Sequence, residues 1–340
     1  MVFFPAGHAA PINHSQEKDG TLVADWQNQP IALVFPGQGA QFVGMGTELA
    51  AASSVAAQTI AEANDVLGVD LQSLMTNGPT ETLEDTYNAQ SAILAVSVAA
   101  YRAVQSSWEG DLNPAMVAGH SLGEFSALVA ADALSYADAL RLVRERGRIM
   151  KQAGETTPGA MAAVLGLDDD TLATVCAEAS SEAGSVVVVA NRNCPGQTVI
   201  SGAIPALELA ADKAKERGAK RVARLNVSIA SHSPLMAGAA AEFGALVALT
   251  AIQAPKMPVV ANGSAEPMTT VEQIVAELSA QMAAPVNWTG TIQRMVAAGI
   301  RTFVELGPGT VLAGLNRRID GETTTLTAAD LDGRLPAGGK

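Results

Sequence analysis

The sequence predicts an α/β protein in which a larger domain carries a smaller ferredoxin-like unit as an insertion. Short β-rich apolar runs alternate with longer segments of helical apolar spacing along most of the 340 residues. Between residues 154 and 227 the order becomes strand, helix, strand, strand, helix, strand, which is the split β-α-β unit. Apolar strands and helices of the first kind then resume, so the unit is inserted rather than appended.

Residues 1–29 show no sustained periodicity and are expected to form a flexible extension. Ile31–Phe35 reads as a buried strand, stopped by Pro36-Gly37-Gln38-Gly39. Helical spacing runs through 44–68 and 90–107. A short strand from Ala115–Ala118, a tight turn and a helix together take 115–135, and a further helix covers about 136–153. Gly154 and Pro158-Gly159 mark the break into the small unit. Its strands are expected at 161–165, 185–190, 198–201 and 219–227, and its helices at 169–182 and 203–217. Strands at 258–261 and 302–305 belong to the large domain again, with helices at 234–249, 270–282, 288–299 and 310–318. The large domain thus takes 30–153 and 228–320, the small one 154–227, and 321–340 reads as a flexible tail.

With 48% hydrophobic residues, the chain can bury one large or two modest cores. A formal charge of −13 argues against broad nucleic-acid binding. Cys176 and Cys194 make no disulfide framework, and no metal-ligand spacing occurs. No apolar run reaches the length of a membrane span, and the N-terminus lacks the basic and apolar regions of a secretion signal. A cytoplasmic enzyme, monomeric and without metal or cofactor, is the expectation.

The segment Gly119-His120-Ser121-Leu122-Gly123 sits between the strand and a Gly/Pro-free helix. A serine held between two glycines at such a turn is lifted clear of the sheet, at a helix N-terminus whose free N–H groups can stabilise an oxyanion. Its hydroxyl needs a base. The four histidines are His8, His14, His120 and His232. The first two fall in the extension, and His120, beside the serine, should face the other way. His232 is left.

Arg146 faces the wrong way for a solvated residue. Its helical neighbours are Leu142, Val143, Ile149 and Met150, whereas those of Arg148 are all polar. A buried guanidinium needs an anionic partner. That partner is either an internal carboxylate or the carboxylate of a substrate, gripped by the guanidinium fork.

At this point seven motifs, in order between about residues 31 and 319, resemble those of malonyl-CoA:acyl-carrier-protein transacylases and the acyltransferase domains of fatty-acid and polyketide synthases. They are Phe35–Gln41, Gly119–Glu124, Arg146-Gly147, Asn193–Gln197, Ser231-His232, Pro285–Trp288 and Glu305–Gly309. The resemblance implies an α/β-hydrolase-like large subdomain around the inserted ferredoxin-like one. It implies Ser121 as nucleophile, His232 as base, Arg146 and Gln90 on the malonyl group, and the Gln38 and Leu122 N–H groups as oxyanion hole. It further implies that a backbone carbonyl orients the histidine, here that of Asn287, where stand-alone members often have glutamine. Malonyl-CoA and acyl carrier protein are the implied partners. The tetrad Ile229–His232 resembles that of methylmalonyl-using polyketide enzymes, so a methylmalonyl-tolerant trans-acting acyltransferase is one alternative, and an editing hydrolase another. Six basic residues between Lys213 and Arg224 are the expected landing surface for an acidic carrier protein, with Arg317 and Arg318 as the substitute.

Overall fold

The computed structural model describes residues 29–107, 113–327 and 330. His8, His14 and nearly all of the predicted N-terminal extension lie outside the described residues. Two sheets organise the chain. The larger contains β1 (Ile31–Phe35), β2 (Met116–Gly119), β7 (Val259–Val260), β8 (Pro267–Met268), β9 (Thr302–Glu305) and β10 (Thr324–Thr327). Their order is β10-β9-β1-β2-β7-β8, parallel except for the edge strand β8. Along β1, Ile31, Leu33 and Phe35 enter one hydrophobic cluster while Ala32 and Val34 enter another. That is why the strand reads as an unbroken apolar run: a parallel sheet is covered on both faces.

The smaller sheet holds β3 (Gly159–Leu165), β4 (Val187–Cys194), β5 (Gln197–Ala203) and β6 (Arg221–Arg224), in the antiparallel order β4-β5-β3-β6. This is the ferredoxin-like arrangement, with helices Asp169–Ala183 and Ile204–Glu216 between the strands. Ala160, Ala162 and Val164 pack on those helices, whereas Met161 and Ala163 point to the opposite face, where Leu225 joins them. Main-chain hydrogen bonds between Arg192 and Val286, and between Val286 and Ala190, lash the edge strand β4 to the large subdomain.

One expectation needs correction. The segment after Gly321 is not all loose tail, because Thr324–Thr327 extends the large sheet beside β9. Its β-branched threonines suit a strand, and Asn316 Nδ2 donates to Thr325 Oγ1. The basic run carries acids beside it. Lys213 pairs with Glu182 at 2.9 Å, Lys215 with Asp212 at 2.8 Å and Arg217 with Glu178 at 2.9 Å. The helix Leu71–Asn77 and the short helix Thr80–Glu84 also form where the sequence reading placed no element. Among the described residues no helix is long and apolar enough to cross a membrane.

The helix Gly123–Ala130, which follows β2, is buried along its whole length, and Phe125 meets Phe243 of the helix Ala237–Leu249 edge to face, ring centroids 6.0 Å apart. Truncating this fully buried ring (Phe243→Ala) should cost about 3–5 kcal/mol of stability, read from the denaturant midpoint at unchanged slope.

Candidate active site

Ser121 stands at the turn between β2 and the helix Gly123–Ala130 with φ of 50°, in the left-handed region that a side chain rarely occupies. Close packing imposes that strain. A Cβ on Gly123 would lie 2.1 Å from the Phe35 carbonyl oxygen, and one on Gly119 would lie 1.9 Å from the Gly123 carbonyl carbon. Only glycine fits either position. Asn262, just beyond β7, clasps the turn: its Oδ1 accepts the Ser121 N–H at 2.7 Å, and its Nδ2 donates to the Gly119 carbonyl at 2.9 Å.

His232 brings Nε2 to 2.9 Å from Ser121 Oγ. Its Nδ1 lies 2.9 Å from the Gln281 carbonyl and 3.0 Å from that of Ala284. Carbonyls only accept, so Nδ1 carries the hydrogen and Nε2 offers its lone pair to the serine hydroxyl. Asn287 does not take that role. Its carbonyl accepts the Thr291 N–H at the start of the helix Trp288–Ala297, and its side chain caps the same helix through the Gly290 N–H. The orienting carbonyls are those of Gln281 and Ala284, six and three positions earlier. His120 turns away as expected, with Nε2 2.9 Å from Asn193 Oδ1.

Arg146, on the helix Tyr136–Thr156, is 1% exposed. Its Nη1 donates to Gln90 Oε1 at 2.9 Å, and its Nη2 donates to Gln281 Oε1 at 2.8 Å and to Ser121 Oγ at 3.2 Å. Its Nε has no partner. All three partners are neutral, so the internal ion pair left open by the sequence is not made. Burial draws the guanidinium down to about 10, with the charge of Glu124 pulling the other way. Gln90 therefore props the arginine rather than touching the serine. Arg148, by contrast, pairs with Glu145 and Glu242 on the surface.

Glu124 and Gln281 escaped the sequence reading. Glu124 is fully buried, and burial first, then the charge of Glu277, pushes its carboxyl up to about 8. The test that singled out Arg146 applies to it: its forward helical neighbours are Ala127 and Leu128. Gln281 lies one residue past the helix Val271–Ala280, near the end of the segment read as a helix over 270–282, and as an uncharged side chain it gave that test no signal.

A narrow chamber of about 40 Å³ opens on Ser121, Arg146 and His232, roofed by Met161 and Leu225 of the small subdomain. Gln38, Thr86, Val227 and Ile229 also wall a wider cavity of about 530 Å³ leading outward. The Gln38 side chain donates to Thr86 Oγ1 at 3.0 Å, which fixes its loop at the edge of the chamber. Leu122 precedes the first turn of the helix Gly123–Ala130, so its N–H has no carbonyl within that helix to bond. Among the described residues no three His, Cys, Asp or Glu side chains gather as a metal site requires.

The model of a family described as an acyl transferase domain matches residues 32–329. A malonyl CoA-acyl carrier protein transacylase of Escherichia coli K12 is 45% identical over 301 residues, covering 88% of this chain and 95% of the relative. One of Bacillus subtilis is 43% identical over 300 residues, covering 88% and 93%. The crystal structure of an acyl carrier protein S-malonyltransferase from Vibrio cholerae superposes with a TM-score of 0.86 at 43% identity, covering 90% of this chain and 99% of that one. A type II polyketide-synthase acyl carrier protein in complex with its malonyl-transacylase matches with a TM-score of 0.86 at 40% identity and the same coverage.

Burial, with the positive charge of Arg146, holds the His232 imidazolium down to about 3. The unfolded chain takes up that proton below about 6.5 and the folded one does not, so this residue's share of stability is present above 6.5 and lost as pH falls towards 3. Nitrogen-15 NMR of the ring should show a neutral Nδ1–H imidazole from pH 8 down to pH 5. A titration near 6.5 would contradict its burial.

Proposed function

The chain belongs to the acyl transferase domain family; it is an acyltransferase that moves malonyl groups from malonyl-CoA to acyl carrier protein, and we propose that they travel as an ester of Ser121. His232 Nε2 takes the hydroxyl proton as Oγ attacks the thioester carbonyl. The tetrahedral oxyanion falls to the N–H groups of Gln38 and Leu122, worth about 3–4 kcal/mol for a donor of this kind. Collapse expels the CoA thiolate, which leaves with the proton from His232. The phosphopantetheine thiol of the carrier protein then gives its proton to His232, attacks the ester carbonyl, and returns Ser121 to its hydroxyl form.

The observation that carries this reading is the buried guanidinium of Arg146, 3.2 Å from the nucleophilic oxygen and without a carboxylate of its own. A hydrolase of neutral acyl groups has no use for it. The free carboxylate of a malonyl group completes it bidentately. That carboxylate also offsets the Arg146 charge, one of the forces that depress His232, so the base strengthens when an acidic acyl group is in place.

Ser121→Ala should abolish the covalent malonyl adduct seen by intact-protein mass spectrometry after a malonyl-CoA pulse, with the fold retained. An adduct on the alanine variant would place the ester elsewhere. With the wild-type protein, a chase with holo acyl carrier protein should discharge the adduct far faster than water does. Equal discharge by water would make the protein a hydrolase.

Arg146→Ala should change acyl preference. A malonyl carboxylate then enters the chamber unpaired, at a cost of about 2–5 kcal/mol, while an acetyl group loses no partner. Parallel kcat/KM measurements for malonyl-CoA and acetyl-CoA read this directly. An equal fall for both would make Arg146 a purely structural residue.

A further inference from the structure

Glu124 takes no part in either step above, yet it is fully buried one helical turn behind the nucleophile. Its Oε1 accepts the Asn262 backbone N–H at 3.1 Å, and its Oε2 accepts the Gln281 Nε2–H. The same Gln281 amide turns its oxygen to Arg146 Nη2 at 2.8 Å and its nitrogen to the Ser121 carbonyl at 3.1 Å. Its backbone carbonyl holds His232. One glutamine therefore touches all three residues of the reaction, and Glu124 stands behind it.

A carboxamide has an accepting end and a donating end, and its sense decides which neighbour meets which. Turned over, Gln281 would set its NH2 against a guanidinium N–H and its oxygen against the Ser121 carbonyl. We infer that Glu124 is a positioning residue for malonyl selection: its carboxyl fixes the sense of the Gln281 amide, whose oxygen holds the Arg146 fork in line with Ser121. This rests on the reading of Arg146 as the malonyl-binding residue.

The role requires an oxygen at both positions of the side chain. A carboxyl oxygen, protonated or not, keeps a lone pair for the N–H that faces it, whereas a carboxamide nitrogen has none to give. In Glu124→Gln the new oxygen must serve the Asn262 N–H, which the main chain holds in place. The new NH2 then faces Gln281, which can accept it only by turning over and presenting its own NH2 to Arg146. A near-isosteric change with no loss of volume thus misplaces the fork.

The test measures kcat/KM for Ser121 loading from malonyl-CoA and from acetyl-CoA in wild type, Glu124→Gln, Gln281→Met, the double variant and Arg146→Ala, with thermal melts as a check of folding. Glu124→Gln should lower the malonyl-to-acetyl ratio by about tenfold or more, as expected for a lost bond to a charged group, mainly through KM for malonyl-CoA. Gln281→Met, which keeps the backbone carbonyl for His232, should lower it similarly. The double variant should be no worse than Gln281→Met alone, because Glu124 acts through that amide. An unchanged ratio in Glu124→Gln, an equal fall for both substrates, or losses that multiply in the double variant would overturn the inference. Arg146→Ala separates the two readings. If it leaves the ratio unchanged, the malonyl-binding role of Arg146 fails and the inference with it. If it collapses the ratio while Glu124→Gln does not, only the role of Glu124 is lost. Should Glu124→Gln fail to fold, Glu124→Asp keeps both accepting oxygens and should hold the ratio, while Gln281→Met loses it; a wild-type ratio in Gln281→Met overturns the inference on its own.

Discussion

A full positive charge, held in the interior with no carboxylate against it, governs the chemistry of this molecule. Moving a guanidinium out of water carries a penalty of several kcal/mol, and a protein ordinarily answers with a buried acid. Here the answer is dipolar: two glutamine oxygens and the serine hydroxyl accept from Arg146. Amide dipoles offset part of the desolvation without cancelling the charge. The field that remains reaches His232, on the far side of the Ser121 hydroxyl, and helps to keep it neutral, which is the state a general base needs. A carboxylate in place of either glutamine would satisfy the arginine permanently and close the site to an anionic acyl group.

Such a charge is useful only if the atoms around it do not move, and the scaffold provides that rigidity through close backbone contact. β1 approaches the helix after β2 so nearly that Gly123 is obligatory, Gly119 is pressed against the start of that same helix, and the turn between the two glycines leaves Ser121 at positive φ. His232 is also at positive φ, 59°, so both partners of the proposed proton transfer sit in backbone conformations that surrounding structure must enforce. Asn262 clasps the serine turn, and carbonyls from the segment after the helix Val271–Ala280 clasp the imidazole. The proposed reacting groups, Ser121, His232 and Arg146, all lie outside the small subdomain. One face of its sheet packs on its own helices, and residues of the other roof the chamber, so it shapes what enters rather than what reacts.

The buried acids show how one residue type serves different ends. Glu305 ends β9 and accepts the Leu312 and Ala313 N–H groups at the start of the helix Val311–Ile319, where burial still raises its carboxyl to about 7. It closes a helix end onto the sheet. Glu124 instead faces a side-chain amide and a loop N–H, both of which lead to reacting groups. The basic run from Lys213 to Arg224 is a third case. Exposed pairs of that kind contribute at most about 1 kcal/mol each, but they cut the field that a count of lysines and arginines suggests.

Periodicity and turn chemistry alone determined the two-part architecture, the strand–turn–helix at Ser121, the elimination that left His232, and the inward direction of Arg146. Each rests on local rules: the periods of helix and strand, and the glycines that a strained turn demands. The resemblance of seven motifs added the acyl group and its carrier. What local rules cannot reach is which distant backbone meets a given side chain. The carbonyls that orient His232 belong to Gln281 and Ala284, not Asn287, because Asn287 had to begin a helix and its carbonyl was taken. Thr324–Thr327 became a strand because β9 left an edge open beside it. The neutral company of Arg146 comes from residues 56 and 135 positions away, brought together only when the chain packs. Hydrogen-bond direction is decided there, in three dimensions, because a carbonyl or an amide carries no mark in the sequence of the partner it will face.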